Sequence, residues 1–139
     1  MKEHKRYVGV LVKVGDKCLL CKRNKKGSFP GMWSVPAGKI EDGEGTRSAA
    51  VREFKEETDL DINPDLLKFN GILPRQTRDG KHFKGLMFLY TYSTNEVLTP
   101  DLENAKDGEE HTECGYFTKD ELKNIETGEK MKKMLQKLM

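Results

Sequence analysis

Glu53, Glu56 and Glu57 stand at helical spacing in the segment GTRSAAVREFKEETDL, behind a glycine-rich stretch that begins at Gly38. On an α-helix, residues three and four apart share a face, so these carboxylates project into one small volume. Like charges gathered there need a cation to join them. Carboxylate oxygens are the hard ligands that Mg²⁺ and Mn²⁺ take, and Mg²⁺ keeps several waters while sharing its other positions with substrate phosphates. The chemistry implied is metal-assisted attack of water on a phosphate chain. Arg52, four residues before Glu56, is placed to pair with that carboxylate; an exposed pair of this kind contributes only about 0.2–0.5 kcal/mol, so its value is orientation.

The spacing is more specific than the charge. Five residues separate Gly38 from Glu44 and seven separate Glu44 from Arg52, after which come Glu53, Phe54, Lys55, Glu56, Glu57, Thr58, Asp59 and Leu60. This closely resembles the signature of the Nudix (MutT-like) hydrolases, Gly-x5-Glu-x7-Arg-Glu-apolar-x-Glu-Glu-x-Gly-apolar, with Asp59 in place of the second glycine. The box covers residues 38–60, and FPGMWSVPAG before it extends the likeness over the first half of the chain.

The resemblance implies a fold of the α/β (α+β) class, a mixed β-sheet sandwiched between helices, in a single domain over residues 1–139. It implies hydrolysis of a nucleoside diphosphate linked to another group, with Mg²⁺ as cofactor and Mn²⁺ as a substitute. Glu53, Glu56 and Glu57 match metal-coordinating positions, the backbone carbonyl of Gly38 matches a further ligand, and Glu44 matches a supporting position. Glu53 serves alternatively as general base in some members. The substrates open to such a box are nucleoside triphosphates, ADP-ribose-like sugars, dinucleoside polyphosphates and capped or triphosphorylated RNA ends, the last being the only nucleic-acid partner envisaged. A homodimer is also open, because many relatives dimerise. The competing reading is a catalytically weak nucleotide-sensing module of the same fold; retention of all three helix glutamates favours the enzyme.

Each part has a physical use. A diphosphate bridge resists attack because its oxygens are already negative, and a cation neutralises them. Glycine at position 38 removes the Cβ that would obstruct a close backbone approach. A water must still lose its proton, and Glu109, Glu110 and Glu113 are the loop carboxylates available; Glu113 is preferred, because E-x-x-Y-F resembles the family's E-x-x-W. Arg52 and Glu113 thus join Glu53 as catalytic candidates. Phe29 and Trp33 are candidates to stack on a base, and Arg75 and Arg78 to hold phosphates. Asp59 is expected to close the helix in a left-handed conformation, which aspartate adopts at a penalty of about 1 kcal/mol.

At 100° per residue, Ala50, Val51, Phe54 and Thr58 fall in an arc that faces a core, and the three glutamates fall in another, so the carboxylates are expected to be unburied. Charged and hydrophobic residues each make up 35% of the 139 residues, which predicts a thin core and high solubility. The net charge of +2 says little about partners. No apolar run is long enough to span a membrane and the N-terminus lacks a signal-peptide pattern, so a cytoplasmic protein without membrane partners is expected. The three cysteines then read as free thiols. Cys18 and Cys21, three apart on a strand, should point to opposite faces and not share a metal.

The elements that must position these residues read as strands at 7–14 and 18–22 joined by a turn at Gly15-Asp16-Lys17, a short strand at 32–35, and the box helix at 46–58. Further strands follow at 66–73 and 83–93, the latter central, with a turn between them. Residues 94–112 read as a long loop and 114–118 as a strand. A capping box, Thr118 with Glu121, opens a short helix, and Met131, Met134, Leu135 and Leu138 repeat at helical spacing.

Overall fold

Residues 7–12 of the first strand are buried without a break, which requires cover on both faces of the sheet. The computed structural model describes residues 5–24, 31–76 and 81–139 and supplies that cover as one helix on each side of a mixed sheet. Strand β1 (Lys5–Val14) turns at Gly15, where φ is 59°, into β2 (Lys17–Arg23). Then come β3 (Trp33–Ser34), β4 (Ala37–Lys39), helix α1 (Thr46–Thr58), β5 (Leu67–Gln76), β6 (Phe83–Thr94), β7 (His111–Thr118) and helix α2 (Glu129–Leu138). The strand order is β3-β2-β1-β6-β5, with β4 added to β1 and β7 to β2. β1 and β6 run parallel, and the remaining pairs are antiparallel.

Because side chains alternate along a strand, β1 feeds two cores. Val8, Val10 and Val12 pack with Leu19, Ala49, Ala50 and Phe54 beneath α1. Tyr7 and Leu11 point the other way, towards Leu73, Met87, Leu89 and Leu135, where Met131, Met134 and Leu138 close over them. A fully buried side chain of Leu or Phe size is worth about 1.5–3 kcal/mol relative to exposure. The methionines at helical spacing are therefore core. Among the described residues no helix is long and apolar enough to cross a membrane.

The structure departs from the sequence reading in several places. β4 was expected as loop; it is only three residues long, and it exists because Ala37, Gly38 and Lys39 pair with Gly9, Val8 and Tyr7. β7 starts at His111 rather than at Cys114, after a 3-10 turn at Gly108–Glu110. Thr118 and Glu121 do form a reciprocal capping box, Thr118 N–H to Glu121 Oε1 at 2.9 Å and Glu121 N–H to Thr118 Oγ1 at 3.3 Å, but the turn they open is 3-10 helix (Glu121–Asn124). The turn expected between β5 and β6 falls partly on residues 77–80, outside the described residues.

The cysteine expectation also needs correction. Cys21 and Cys114 face each other in register across β2 and β7 and form a disulfide, with Cα atoms 4.0 Å apart. Only Cys18 is a free thiol, and burial pushes its pKa up to about 11. Cys18 packs in the core on the α2 side whereas Cys114 packs on the α1 side, so Cys18 and Cys21 do point to opposite faces.

Candidate active site

The site is built around α1 and the strand that precedes it. Pairing with β1 carries Gly38 against the helix so closely that a Cβ there would run into the carboxylate of Glu53. No larger residue fits without displacing that glutamate. The helix is anchored at its start by Thr46, whose hydroxyl meets the Tyr90 hydroxyl at 2.7 Å, and by Arg47, which donates to the carbonyls of Pro64 and Leu67 at 2.7 and 2.6 Å. It ends at Asp59, with φ 62° and ψ 21°, the left-handed conformation that its position in the box predicts. Among the described residues Asp59 is the only non-glycine with positive φ.

Arg52 organises the acidic cluster. Its guanidinium forks onto Glu44, Nε to Oε2 at 2.7 Å and Nη2 to Oε1 at 2.8 Å, and reaches Glu53 at 2.9 Å, Glu56 at 3.0 Å and the Lys39 carbonyl at 2.9 Å. These bonds hold the Glu44 carboxyl down at about 2. Glu53 behaves oppositely: burial raises its pKa, the Arg52 bond offsets this in part, and Glu56 and Glu110 push it up again. Glu56 also meets the Lys106 ammonium at 3.4 Å.

Glu57 is fully buried, contrary to the expectation of an unburied carboxylate. At 100° per residue it falls between Ala49 and Ala50, and both of those are core. Its Oε1 lies 2.8 Å from Nε2 of His111, itself buried. Its Oε2 has no hydrogen-bond partner, and the Glu110 carboxyl lies within reach of the Glu57 carboxyl. Burial, then the charges of Glu110 and Glu53, hold the Glu57 pKa well above the usual carboxylate range. Burial and the Arg23 charge lower His111 to about 4, so near neutrality its imidazole is uncharged and the contact is a hydrogen bond rather than an ion pair. Glu110 is exposed overall, yet partial desolvation of its carboxyl is the largest cause of its raised pKa.

Among the described residues no three His, Cys, Asp or Glu side chains converge at metal-binding spacing. The reason is visible in the contacts: Glu53 and Glu56 turn to Arg52, and Glu57 turns to His111. The donor set still fits a divalent cation on two observations. A buried carboxylate oxygen without a donor is the group a cation satisfies, and the glycine at 38 leaves open the backbone beside Glu53.

A cavity of about 560 Å³ opens on the α2 face of the sheet, lined by Arg23, Trp33, Leu73, Arg75, Met87 and Met131 among others. Two sequence candidates, Trp33 and Arg75, therefore stand in one cleft. Arg75 lies with its guanidinium 4.3 Å from the centre of the Tyr7 ring, and desolvation lowers its pKa. The helix glutamates do not line this cavity; Ala37, next to Gly38, and Arg23, whose charge reaches Glu57 and His111, mark its border with them. Phe29 and Arg78 lie outside the described residues. Glu113 is exposed on β7 opposite Lys22, and the loop carboxylates that bear on Glu57 are Glu110 first and Asp107 after it. Sequence reasoning weighed Glu110 but did not choose it, and missed His111 altogether; the only signal for either was their place in an acidic loop before a strand.

A family model described as NUDIX domain matches residues 3–138. The chain is 28% identical over 104 residues to a Bacillus subtilis protein named Uncharacterized Nudix hydrolase YvcI, covering 74% of this chain and 61% of that one. It is 33% identical over 100 residues to the ADP-ribose pyrophosphatase of Methanocaldococcus jannaschii, covering 71% of this chain and 56% of that one. The chain thus spans about three fifths of the length of these relatives. Among solved structures, a bifunctional NMN adenylyltransferase/ADP ribose pyrophosphatase from Francisella tularensis, complexed with AMP and a Mn ion, superposes with a TM-score of 0.78 at 20% identity, over 99% of this chain and 42% of that one. With the box at 38–60 laid out as strand end, loop and helix over one face of a mixed sheet, and the family match running nearly end to end, this chain belongs to the Nudix family.

Proposed function

We propose that this chain hydrolyses the pyrophosphate bond of a nucleoside diphosphate linked to another group, with divalent cation held by Glu53, Glu56, Glu57 and the Gly38 carbonyl. The observation that carries the reading is the buried Glu57 carboxylate with one oxygen lacking a donor, set among Glu53 and Glu110 at the border of a nucleotide-sized cleft. When bound, Mg²⁺ or Mn²⁺ would supply charge neutralisation for the phosphates and a more acidic water. The Mn ion and the AMP in the Francisella complex support a divalent cation and a nucleotide by likeness.

The chain's own residues do the rest. Arg52 keeps Glu53 and Glu56 together on one guanidinium and offsets their mutual repulsion, and a bound cation would draw their carboxylates from it. Glu110 and Glu53 are the carboxylates placed to take the proton of the attacking water, and Glu113 is not carried forward. Trp33 and the methionines give the cleft an apolar wall for a base, while Arg23 and Arg75 offer cationic groups to phosphates. ADP-ribose heads the candidate substrates, on the relative that bears its name. The test is identification of products from ADP-ribose and from a nucleoside triphosphate: this reading expects nucleoside monophosphate with ribose phosphate or pyrophosphate. Release of free base or free nucleoside as the primary product would refute it.

A further inference from the structure

We infer that His111 is the residue that positions Glu57 for cation binding, its Nε2–H holding Oε1 at 2.8 Å so that Oε2 alone is presented to the ion. The inference rests on the cation reading above and adds a residue to it. Neither side chain is exposed, so water cannot substitute for the contact. Without it, a buried carboxylate would have two oxygens seeking donors and no fixed rotamer. This tautomer also leaves Nδ1, which has no partner, as a bare lone pair rather than a buried orphan N–H.

The backbone around His111 is fastened to both elements it must link. It opens β7 opposite Arg23, just past a break in the β2–β7 ladder. One residue earlier the Glu110 carbonyl accepts from Asn24 N–H at 2.8 Å, and at the start of the turn Asp107 N–H donates to the Glu56 carbonyl at 2.7 Å. Gly108 lies so close to the Leu102 carbonyl that any side chain there would collide with backbone. The imidazole is thus delivered to Glu57 by a segment clamped to the last turn of the same helix. Partners that orient metal ligands in this way typically account for 10–100-fold in metal affinity.

The experiment is Mn²⁺ binding followed by electron paramagnetic resonance of the free ion, with thermal melts in chelator as a check on folding. His111→Phe keeps a ring but removes the donor, and its Mn²⁺ dissociation constant should rise by about 10–100-fold. His111→Gln retains a donor at similar reach and should recover much of that loss. Wild-type affinity in His111→Phe would overturn the role, as would equal weakening in both variants in step with a fall in melting temperature, the pattern of a packing residue. If the wild-type chain itself fails to bind Mn²⁺, the cation reading falls and the His111 inference with it, an outcome distinguishable from the other two.

Discussion

Arg52 gathers Glu44, Glu53 and Glu56 onto one guanidinium, and His111 takes Glu57, so two side chains restrain the whole cluster. Glu53→Gln, Glu56→Gln and Glu57→Gln preserve shape while each removes one negative charge. Turnover should fall at least ~10²-fold for one or more of them, the scale of losing a catalytic electrostatic contact, with the fold retained. Near-normal rates in all three would return the cluster to an ordinary charged surface, where substitutions stay within about ±0.5 kcal/mol of stability. Glu57→Gln has a second signature. Because the buried carboxyl is held well above its usual range, an amide there removes a penalty, and the metal-free variant should melt no lower than wild type at pH 8.

At the scale of elements, the helix and its loop were legible because their information is local. Gly38, Glu44 and Arg52 to Leu60 lie at fixed offsets, and the helix runs over the expected Thr46–Thr58. What could not be read is what the sheet register creates. The Cys21–Cys114 link is 93 residues apart in sequence, and His111 reaches Glu57 across 54 residues. β4 is too short to carry a strand pattern, and the burial of Glu57 was misread by dividing one continuous helix face into two arcs. Asp59 was read correctly, and it gives a prediction at this scale. Asp59→Gly relieves the left-handed penalty and should raise stability by up to ~1 kcal/mol, reduced by the greater freedom of glycine when unfolded. The Lys55–Asp59 ion pair at 3.5 Å is half exposed and offsets little. Denaturant melts read the change; a sharp loss of Mn²⁺ affinity in this variant would instead make Asp59 part of the cation site.

For the whole molecule the two extreme carboxyls act in opposite directions with pH. Glu44 has a folded pKa lowered to about 2, so its contribution to stability is present above the unfolded value of about 4.3 and is lost as pH falls through about 2. Glu57 has a raised folded pKa, so its contribution is present below the unfolded value and is lost as pH rises towards the folded one. On the function proposed above, a cation takes the place of the proton on Glu57. The rise in melting temperature caused by Mg²⁺ should therefore grow as pH increases through that upper window, and thermal melts with and without Mg²⁺ across pH check it. A rise that shrinks with pH would contradict the assignment of Glu57 as a ligand.

The most direct measurement is turnover of ADP-ribose, nucleoside triphosphates, a dinucleoside polyphosphate and a capped RNA end, each assayed with Mg²⁺ and again with excess chelator. Three carboxylates gathered on one helix beside a cleft predict cleavage of at least one of these with Mg²⁺, giving two phosphate-bearing products, and its abolition by the chelator with recovery when Mg²⁺ is restored. Undiminished turnover of every good substrate in excess chelator would contradict the account.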